Sequence, residues 1–449
     1  MAEVSEDSRP LRSKADLLDI FHEAEKPPTA FLIGAEAEKF AVHERTLAPL
    51  DYEHGVTAIF VRLTELGWQP ERESAHGPTI ALRRAGASIT LEPGAQLELS
   101  GAALPDIHAV RAELDQHFAE LSPISRELEL TWLGVGFQPL AHLDALPWVP
   151  KQRYAIMRQY LPTRGRGAHD MMQRTATVQA NFDFSNESDA MIKLVAMLRL
   201  SPLINALTAN SPFAEGARAG FKSRRGYVWL NMDPARSGLL PELLRKEHPG
   251  YSDYAEWALD AGMFLVKRGE RAIANTGQTF RDFLAHGYQG ERATFADWKL
   301  HLNTLFPEVR LKNTLEVRCC DCLPARLGAA VPALLTGLLY DEQSLAECHA
   351  FALDQPLEAI ELARMDLVRH GLETSIGARP TRRLAERLVE IAEGGLARRR
   401  RLDSSGNDER VHLAPLSELI ARGHAPADEL LAGVNEHPTA AELIARCRL

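Results

Sequence analysis

The sequence predicts an α+β fold, in which an antiparallel-rich sheet is interleaved with helices and followed by a helical C-terminal part. Three observations support this fold class. Several short segments alternate polar and apolar residues, which is typical of strands that bury one face. Segments with helical spacing lie between them. From about Pro324 onward the pattern is almost entirely helical.

Strands and helices alternate along the first part of the chain. The predicted helices are 11–25, 55–68, 104–129, 150–161 and 187–210, and the predicted strands are 30–42, two runs within 79–99, 131–137 and 174–184. Proline sets several of these limits, because it lacks the backbone N–H that helices and sheets use. Pro27-Pro28 and Pro162 end helices, and Pro93-Gly94 separates the two runs.

The second part of the chain has fewer strands. Its predicted elements are a loop-rich section 213–250, helices 252–267 and 279–286, a last clear strand 308–319, and helices interrupted by a polar break at 398–410. No clear linker divides the sequence. We therefore expect a single unit of residues 1–449, with a sheet-bearing core of about 30–322 and a helical part of about 323–449 packed on it.

Alternation is strictest in the segment 175–184, where every odd position is polar and every even position is apolar. Side chains of a strand alternate between its two faces, so one face of this strand is polar throughout. The segment 309–319 alternates in the same way, with Asn313 as the exception. Its polar face carries Arg310, Lys312, Thr314, Glu316 and Arg318.

Glutamates recur on the polar faces of the predicted strands, namely Glu36, Glu38, Glu92, Glu98 and Glu316. For any one strand, a face exposed to water is the simpler explanation. Glutamate is nevertheless depleted in strands, and neighbouring carboxylates repel unless a cation lies between them. Mg²⁺ takes carboxylate oxygens. The sequence thus predicts a magnesium site beside arginines that could hold a nucleotide triphosphate.

Composition restricts the partners and the compartment. The 449 residues carry a formal net charge of −10, which disfavours nucleic acid and anionic membranes as partners. The five cysteines are odd in number and lack the spacing of a disulfide framework, which favours a reducing compartment. The N-terminus is polar and acidic, and no apolar run reaches the length of about 18 residues that spans a bilayer. We therefore expect a cytoplasmic protein.

Several nucleotide and metal motifs are missing from the sequence. It contains no GxxxxGK[ST] phosphate loop, no dinucleotide fingerprint and no HExxH motif. Cys319 and Cys322 form a CxxC pair, but a structural zinc site needs two further ligands, and Cys348-His349 is the only nearby suggestion. Buried thiols are the preferred interpretation of these cysteines.

An ordered series of segments resembles the glutamate–cysteine ligases (γ-glutamylcysteine synthetases) of the plant and proteobacterial type. The segments are GAEAEKFAV (34–42), SITLEPGAQLELSGAAL (88–104), VPKQRYAIMRQYLP (149–162), DMMQRTATVQANFDFS (170–185), TANSPFAEG (208–216), SRRGYVW (223–229), TGQTFRDFL (276–284), FPEVRLKNTLEVR (306–318) and LLYDE (338–342). The resemblance implies a glutamine-synthetase-like fold, whose curved antiparallel sheet forms a funnel for the substrates.

The implied reaction joins the γ-carboxylate of L-glutamate to the amine of L-cysteine at the expense of ATP, through a γ-glutamyl phosphate. It is the first step of glutathione biosynthesis and uses Mg²⁺, with Mn²⁺ as an alternative. A homodimer is left open. Two other functions also stay open: a sister ligase that joins glutamate to another amine, and a guanidino-type phosphotransferase.

The resemblance also implies roles for individual residues. The implied metal ligands are Glu36, Glu38, Glu92, Glu98, Gln179 and Glu316; the catalytic residues are Glu316, Arg318 and Arg225; the substrate contacts are Arg153, Tyr154, Arg158, Asn181 and Arg225; and the ATP contacts are Lys39, Lys312 and Arg318.

Structural alternatives remain for some of these residues. Alternation places Lys39 on the face opposite Glu36 and Glu38. A helix surface accounts equally well for Arg153, Tyr154 and Arg158. Arg224 is as simple a candidate as its neighbour Arg225. One departure from the family concerns cysteine. Plant members carry redox-active cysteines in the segment matching 272–291, where this sequence has none, so thiol switching of that kind is not expected.

Overall fold

The computed structural model describes residues 8–436 and 438–449, and the first seven residues of the polar N-terminal segment lie outside the described part. The strands are β1 (Ile33–His43), β2 (Gln69–Arg72), β3 (Thr79–Arg84), β4 (Ala87–Leu91), β5 (Leu97–Ser100), β6 (Leu130–Leu133), β7 (Val178–Phe182), β8 (Phe213–Ala214), β9 (Ala217–Arg218), β10 (Ser237–Gly238), β11 (Leu265–Arg268), β12 (Arg271–Ala274), β13 (Phe306–Pro307), β14 (Val309–Leu311), β15 (Leu315–Val317), β16 (Ser375–Ile376) and β17 (Arg379–Pro380).

Helices connect and cover these strands. The α-helices are α1 (Asp19–His22), α2 (Thr57–Glu65), α3 (Ile107–Glu127), α4 (Gln152–Tyr160), α5 (Ala168–Arg174), α6 (Glu187–Leu207), α7 (Arg224–Trp229), α8 (Pro241–Leu244), α9 (Tyr251–Asp260), α10 (Phe280–His286), α11 (Phe295–Leu302), α12 (Ala330–Leu339), α13 (Glu342–Leu353), α14 (Leu357–His370), α15 (Thr381–Arg399), α16 (Arg410–Ala421), α17 (Pro426–Leu431) and α18 (Ala440–Cys447). Short 3₁₀ turns and one π turn (Tyr52–Val56) complete the connections.

The main sheet is antiparallel, as the alternation predicts. Within the described residues it has nine strands in the order β14-β15-β7-β1-β5-β4-β3-β2, with β6 paired to the second half of β1. The centre of the sheet therefore brings together segments that lie far apart in the sequence. β1 pairs with β5 on one side and with β7 on the other, and β15 adds to the far edge of β7. The α+β prediction is confirmed.

Turns account for most differences from the predicted elements. The expected single strand 308–319 is a hairpin of β14 and β15, and the two runs within 79–99 are three strands. The additional turn lies at Ala85-Gly86, where both residues have positive φ, a conformation that glycine adopts without strain. The expected strand 174–184 is shorter in the structure, because Arg174 ends helix α5 and β7 covers only Val178–Phe182.

The C-terminal helices share a hydrophobic core with the sheet. Helix α12 packs against β7, and α15 and α16 pack on α12. Helix α6 is long and apolar enough to cross a membrane by length and composition, which the sequence analysis did not anticipate. In the structure, 89 % of its apolar window is buried, because α13, α14 and α15 surround it. It is the central helix of the core, and the division at about residue 323 stays a prediction.

Helix α3 covers the face of the sheet that carries Lys39. The ammonium group of Lys39 is buried, lies 3.0 Å from Nε2 of His117 on α3, and donates to the carbonyl oxygens of Ala37 and Leu97. Burial lowers the pKa of Lys39 from its ordinary 10.5 to about 8 and holds the pKa of His117 well below its usual range. Lys39 therefore belongs to the packing between the sheet and α3.

Lys39 makes stability depend on pH in a defined direction. Below pH 8 the lysine is charged in the folded and the unfolded state, and burial of that charge costs the folded state up to about 3 kcal/mol. This cost disappears as pH rises through the unfolded value of 10.5. We expect Lys39→Met to gain most stability relative to the unchanged protein near neutral pH, and this gain to shrink between pH 8 and 10.5.

Urea unfolding of both proteins across this pH range measures the difference. Lys14→Met is the matched control, because Lys14 lies at the surface and pairs with the exposed Glu256. A gain that stays constant with pH for Lys39→Met would show that the buried ammonium group carries no such cost.

Candidate active site

Strand register brings polar side chains from six strands onto one face of the main sheet. Glu36 of β1 lies opposite Gln179 of β7 and opposite Ser100 of β5. One step along, Glu38 lies opposite Glu98. The remaining positions of this face are occupied by Asn181 opposite Glu316, by Arg310 opposite Glu316, and by Thr90 opposite Glu98.

This polar face forms the floor of a cavity of about 990 Å³. Its wall is formed by helix α4, the end of α5, helix α7 and the segment before β14. The predicted site residues that line it are Glu36, Glu38, Glu92, Glu98, Arg153, Tyr154, Gln179, Asn181, Arg225, Lys312 and Arg318. Most of the sequence-predicted site is thus brought together in one cavity.

The carboxylates of the floor destabilise one another's charge. Burial raises the pKa of Glu36 to about 7, and the charges of Glu316 and Glu98 act in the same direction. Burial also holds the pKa of Glu38 well above its usual range, with Glu92 and Glu98 adding to the effect. A group of carboxylates arranged in this way is suited to a divalent cation, because the cation would relieve their repulsion.

The acidic floor is not a preassembled metal cage. Among residues 8–436 and 438–449, no three Asp, Glu, His or Cys side chains converge on one point as a metal site. Mg²⁺ commonly takes one or two carboxylates and completes its shell with water and substrate phosphates. The oxygens of Glu36, Glu38, Glu92, Glu98 and Gln179 fit that kind of binding.

Glu316 differs from the other carboxylates of the floor because it forms ion pairs with three cations. Its carboxylate accepts a bidentate pair of hydrogen bonds from Arg310, from Nη2 to Oε1 at 2.8 Å and from Nε to Oε2 at 3.1 Å, and it also bonds Lys312 Nζ at 2.8 Å and Arg318 Nη1. The side chain has no exposed surface. These partners occupy the acceptor positions of the carboxylate. In this arrangement Glu316 pairs with three cations, and its role as a metal ligand stays a prediction.

Two amides separate the acidic group from the cations. Gln179 accepts a hydrogen bond from Arg318 Nη1 at 2.8 Å and donates to Glu38 at 3.4 Å. Asn181 donates to Glu36 at 2.9 Å. Because an amide can accept on one side and donate on the other, β7 links carboxylates and guanidinium groups without an unfavourable contact.

Arg225, rather than Arg224, is directed into the cavity. Its guanidinium is buried and donates to the carbonyl oxygens of Cys319 at 3.2 Å and Arg318 at 2.8 Å. The guanidinium of Arg224 instead lies among aromatic rings, 4.8 Å from the centre of the Tyr227 ring. The structure decides between the two candidates that the sequence left open.

Helix α4 contributes a second positive region to the cavity. Arg153 Nη2 lies 3.2 Å from the hydroxyl of Tyr154, and that hydroxyl donates to the carbonyl of Leu91. Arg158 does not belong to this region: it is exposed and its guanidinium stacks over Trp148 at 4.5 Å. The expected substrate contact of Arg158 is corrected, because its guanidinium packs on Trp148 and the residue does not line the cavity.

The expected role of Lys39 as an ATP contact is also corrected. It lies on the opposite face of β1 from Glu36 and Glu38 and contacts α3, so it does not reach the cavity as the expected ATP contact. Lys312 does line the cavity. Alternation along β1 had pointed to this outcome, whereas the resemblance had favoured ATP binding.

Lys151 and Arg310 line the cavity, although the sequence suggested no site role for either residue. Lys151 donates to the carbonyl of Leu91 at 2.7 Å, and burial lowers its pKa to about 8. It stands two residues before Arg153, so the polar start of α4 was its only signal. Arg310 was recognised on the polar strand face, but its pairing with Glu316 depends on the hairpin turn.

The fold is similar to that of a solved glutamate–cysteine ligase from Francisella tularensis, crystallised in complex with AMP. The TM-score is 0.55 at 12% sequence identity, and the match covers 94% of this chain and 88% of that chain. At this identity the likeness concerns the fold alone.

Curated relatives match at higher identity. The chain is 39% identical over 423 residues to a chloroplastic glutamate–cysteine ligase of Medicago truncatula, covering 93% of this chain and 81% of the relative. It is 37% identical over 422 residues to the chloroplastic enzyme of Arabidopsis thaliana, covering 93% of this chain and 79% of the relative.

The expectation of a cytoplasmic protein is contradicted by these chloroplastic relatives and is wrong on this finding. The polar N-terminus on which it rested does not decide the compartment.

Family assignment rests on most of the chain. The family model described as glutamate-cysteine ligase family 2 matches residues 32–445, which include every strand of the main sheet and every cavity residue except Lys26. The chain belongs to the glutamate–cysteine ligase family.

Proposed function

We propose that the protein catalyses the ATP-dependent joining of L-glutamate and L-cysteine to γ-glutamylcysteine, the first step of glutathione biosynthesis. Membership of the glutamate–cysteine ligase family supports this function. The observation that carries it within the structure is the arrangement of the cavity floor, where an acidic group and a group of cations face the same space. Transfer of a phosphoryl group to a carboxylate requires both.

In the proposed reaction, an oxygen of the glutamate γ-carboxylate attacks the γ-phosphorus of ATP, and ADP leaves. The cysteine amine then attacks the carbonyl carbon of the γ-glutamyl phosphate. The carbon–oxygen bond to phosphate breaks, phosphate leaves, and the amine loses a proton. The energy of ATP thus converts a poor leaving group into a good one.

Arg318, Arg225 and Lys312 are the candidates to stabilise negative charge on the transferred phosphoryl group. Each lines the cavity, and Glu316 or backbone carbonyl groups hold each of them in place. Groups that are fixed before the reaction stabilise developing charge without reorganisation. Glu316 acts in this proposal by positioning Arg318 and Lys312.

Glu36, Glu38, Glu92, Glu98 and Gln179 are the residues proposed to hold Mg²⁺, with Mn²⁺ as an alternative. When bound, the ions supply positive charge that screens the phosphates and polarises the transferring group. The raised pKa values of Glu36 and Glu38 support this assignment, because a cation would favour their charged forms.

The positive region of α4 is proposed to bind the amino-acid substrates. Arg153 and Lys151 offer cations for a substrate carboxylate, Tyr154 fixes the orientation of Arg153, and Asn181 offers a polar contact on the floor. Because both substrates carry an α-carboxylate, a positive wall in the same cavity as the proposed metal ligands suits them.

The catalytic unit is proposed to include the whole chain, since the C-terminal helices share the core of the sheet. A homodimer stays a prediction. A sister ligase with another amine acceptor and a guanidino-type phosphotransferase are the outcomes that would displace the proposal.

The reaction product is the first test. We expect mass spectrometry of the protein with ATP, Mg²⁺, glutamate and each amino acid in turn to give γ-glutamylcysteine as the dominant amide, in an amount equal to the phosphate released. A dominant amide with another amine would show a sister ligase. ADP formation on a guanidino substrate without amide would show a phosphotransferase.

Glu38 and Lys39 provide a paired test of the metal site, because they are neighbours on opposite faces of β1. We expect Glu38→Gln to lower turnover by on the order of 100-fold and to raise the Mg²⁺ concentration needed for half-maximal rate. Lys39→Met should leave the Mg²⁺ and ATP dependence unchanged. Steady-state rates over a Mg²⁺ titration measure both, and an unaltered Mg²⁺ dependence in Glu38→Gln would remove Glu38 from the metal site.

Glu316→Gln tests the charge compensation of the cation group. The substitution leaves three buried or half-buried cations without their carboxylate, so we expect the free energy of unfolding to fall by about 3–5 kcal/mol along with turnover. The matched control is Glu308→Gln, because Glu308 pairs with Arg364 in a partly exposed position and should cost about 1 kcal/mol or less. Urea unfolding compares the two. Unchanged stability in Glu316→Gln would mean that its carboxylate is available to a metal.

A further inference from the structure

The segment 318–322 after β15 is fixed to its surroundings through its carbonyl groups. The donors to these carbonyl oxygens are Arg225 to Arg318 and Cys319, Asn205 to Cys319, Thr177 to Cys320, and Asn210 to Cys322. They belong to β7, α6, α7 and the loop after α6, or lie beside these elements. The cysteine-rich segment that the sequence left unexplained is therefore a rigid connection between the cavity edge and the core.

Asp321 is the charged residue of this segment and is completely buried. Its Oδ2 accepts hydrogen bonds from the backbone N–H of Asn210 at 2.8 Å and from the hydroxyl of Ser211 at 2.6 Å. Its Oδ1 accepts from the hydroxyl of Ser223 at 2.8 Å. Gly136 packs so closely that a Cβ there would lie 2.5 Å from Cγ of Asp321, so the carboxylate has little room to move.

The carboxylate determines the direction of both hydroxyl groups. A charged carboxylate only accepts hydrogen bonds, so each serine must give its single hydroxyl proton to Asp321. The serine oxygens can then only accept from their other neighbours. Ser211 Oγ accepts the backbone N–H of Arg225 at 3.1 Å, and Ser223 Oγ accepts that of Gly226 at 2.9 Å.

Arg225 is thus held at both ends by the same short segment. Its backbone is tied to Asp321 through Ser211, and the guanidinium is tied to the carbonyl oxygens of Arg318 and Cys319. A shift of the segment would move both ends together. This arrangement keeps the distance between Arg225 and the cavity floor constant.

We propose that Asp321 is a positioning residue for Arg225, acting through the hydroxyl groups of Ser211 and Ser223; the inference rests on the proposed function of Arg225 in the ligase reaction. A buried aspartate could also serve folding alone. The two roles differ in one respect: a positioning role affects activity only when the arginine is present.

Asp321→Asn is the informative substitution, because it keeps the size and reverses one hydrogen bond. An amide Nδ2 in place of Oδ1 donates to Ser223, whose oxygen already accepts from Gly226 and from Asn205 at 3.3 Å. Ser223 would then face three donors with two lone pairs. We expect kcat to fall by about 10- to 100-fold, since small displacements of a catalytic group have effects of that size. We also expect faster amide hydrogen exchange in the peptide 223–229.

A double-mutant cycle separates positioning from folding. In an Arg225→Lys background, Asp321→Asn should reduce kcat by less than about threefold further, while its effect on Tm stays the same in both backgrounds. Asp297→Asn is the matched control, because Asp297 is also buried and accepts the hydroxyl of a helix-capping residue, Thr294, remote from Arg225. It should lower Tm without changing kcat or the exchange of peptide 223–229.

Ser211→Ala gives a second measurement that removes one connection and keeps Asp321. It should reproduce part of the loss in kcat, again only when Arg225 is present. The inference is overturned if Asp321→Asn and Ser211→Ala leave both kcat and the exchange of peptide 223–229 unchanged, or if their effects on kcat persist in the Arg225→Lys background. Absence of γ-glutamylcysteine with the unchanged protein would instead contradict the proposed function, and the exchange measurement would still decide whether Asp321 fixes α7.

Discussion

The ion pair between Arg310 and Glu316 is the interaction on which the rest of the cavity depends. It joins β14 to β15 across the hairpin, and the same carboxylate compensates Lys312 and Arg318. Three cations can therefore lie close together at one edge of the sheet, because the carboxylate of Glu316 compensates their mutual repulsion. The amides of β7 then stand between them and the carboxylates of β1 and β5. The carboxylates and the cations of the floor therefore lie close together in a fixed arrangement. A substrate that carries positive and negative groups can contact both sets.

Much of this face was predictable because strand register preserves parity. In the hairpin, even-numbered residues pair with even-numbered residues, as in Arg310 with Glu316. The set expected for one long strand therefore stayed on one face although the chain turns back. The same holds for Thr90 and Glu98 across the turn at Pro93-Gly94. A turn one residue longer or shorter would have divided the set between the two faces.

The sequence alone could not predict which side chains from distant segments contact one another. The carboxylate of Glu316 appeared equivalent to those of Glu36 and Glu38, because alternation says nothing about which partners a side chain meets across the sheet. Lys151 was not predicted as a site residue, because a single lysine at the start of a helix forms no sequence pattern that indicates a binding role. Family resemblance compensated for part of this, but it also suggested an ATP contact for Lys39, which the alternation along β1 placed on the other face.

The strand order has a consequence for how the protein acquires its structure. β1 can pair with β5 soon after synthesis. The other edge of β7 stays unpaired until β15 is made, and this pairing closes a loop that runs from Phe182 to Leu315. Pairings of this kind are slow, because the entropy of closing a long loop is lost before any contact is gained. The acidic half of the cavity would then exist for a time without its cations. Intermediates of this kind, with an unpaired edge on β7, are the species on which chaperones would be expected to act.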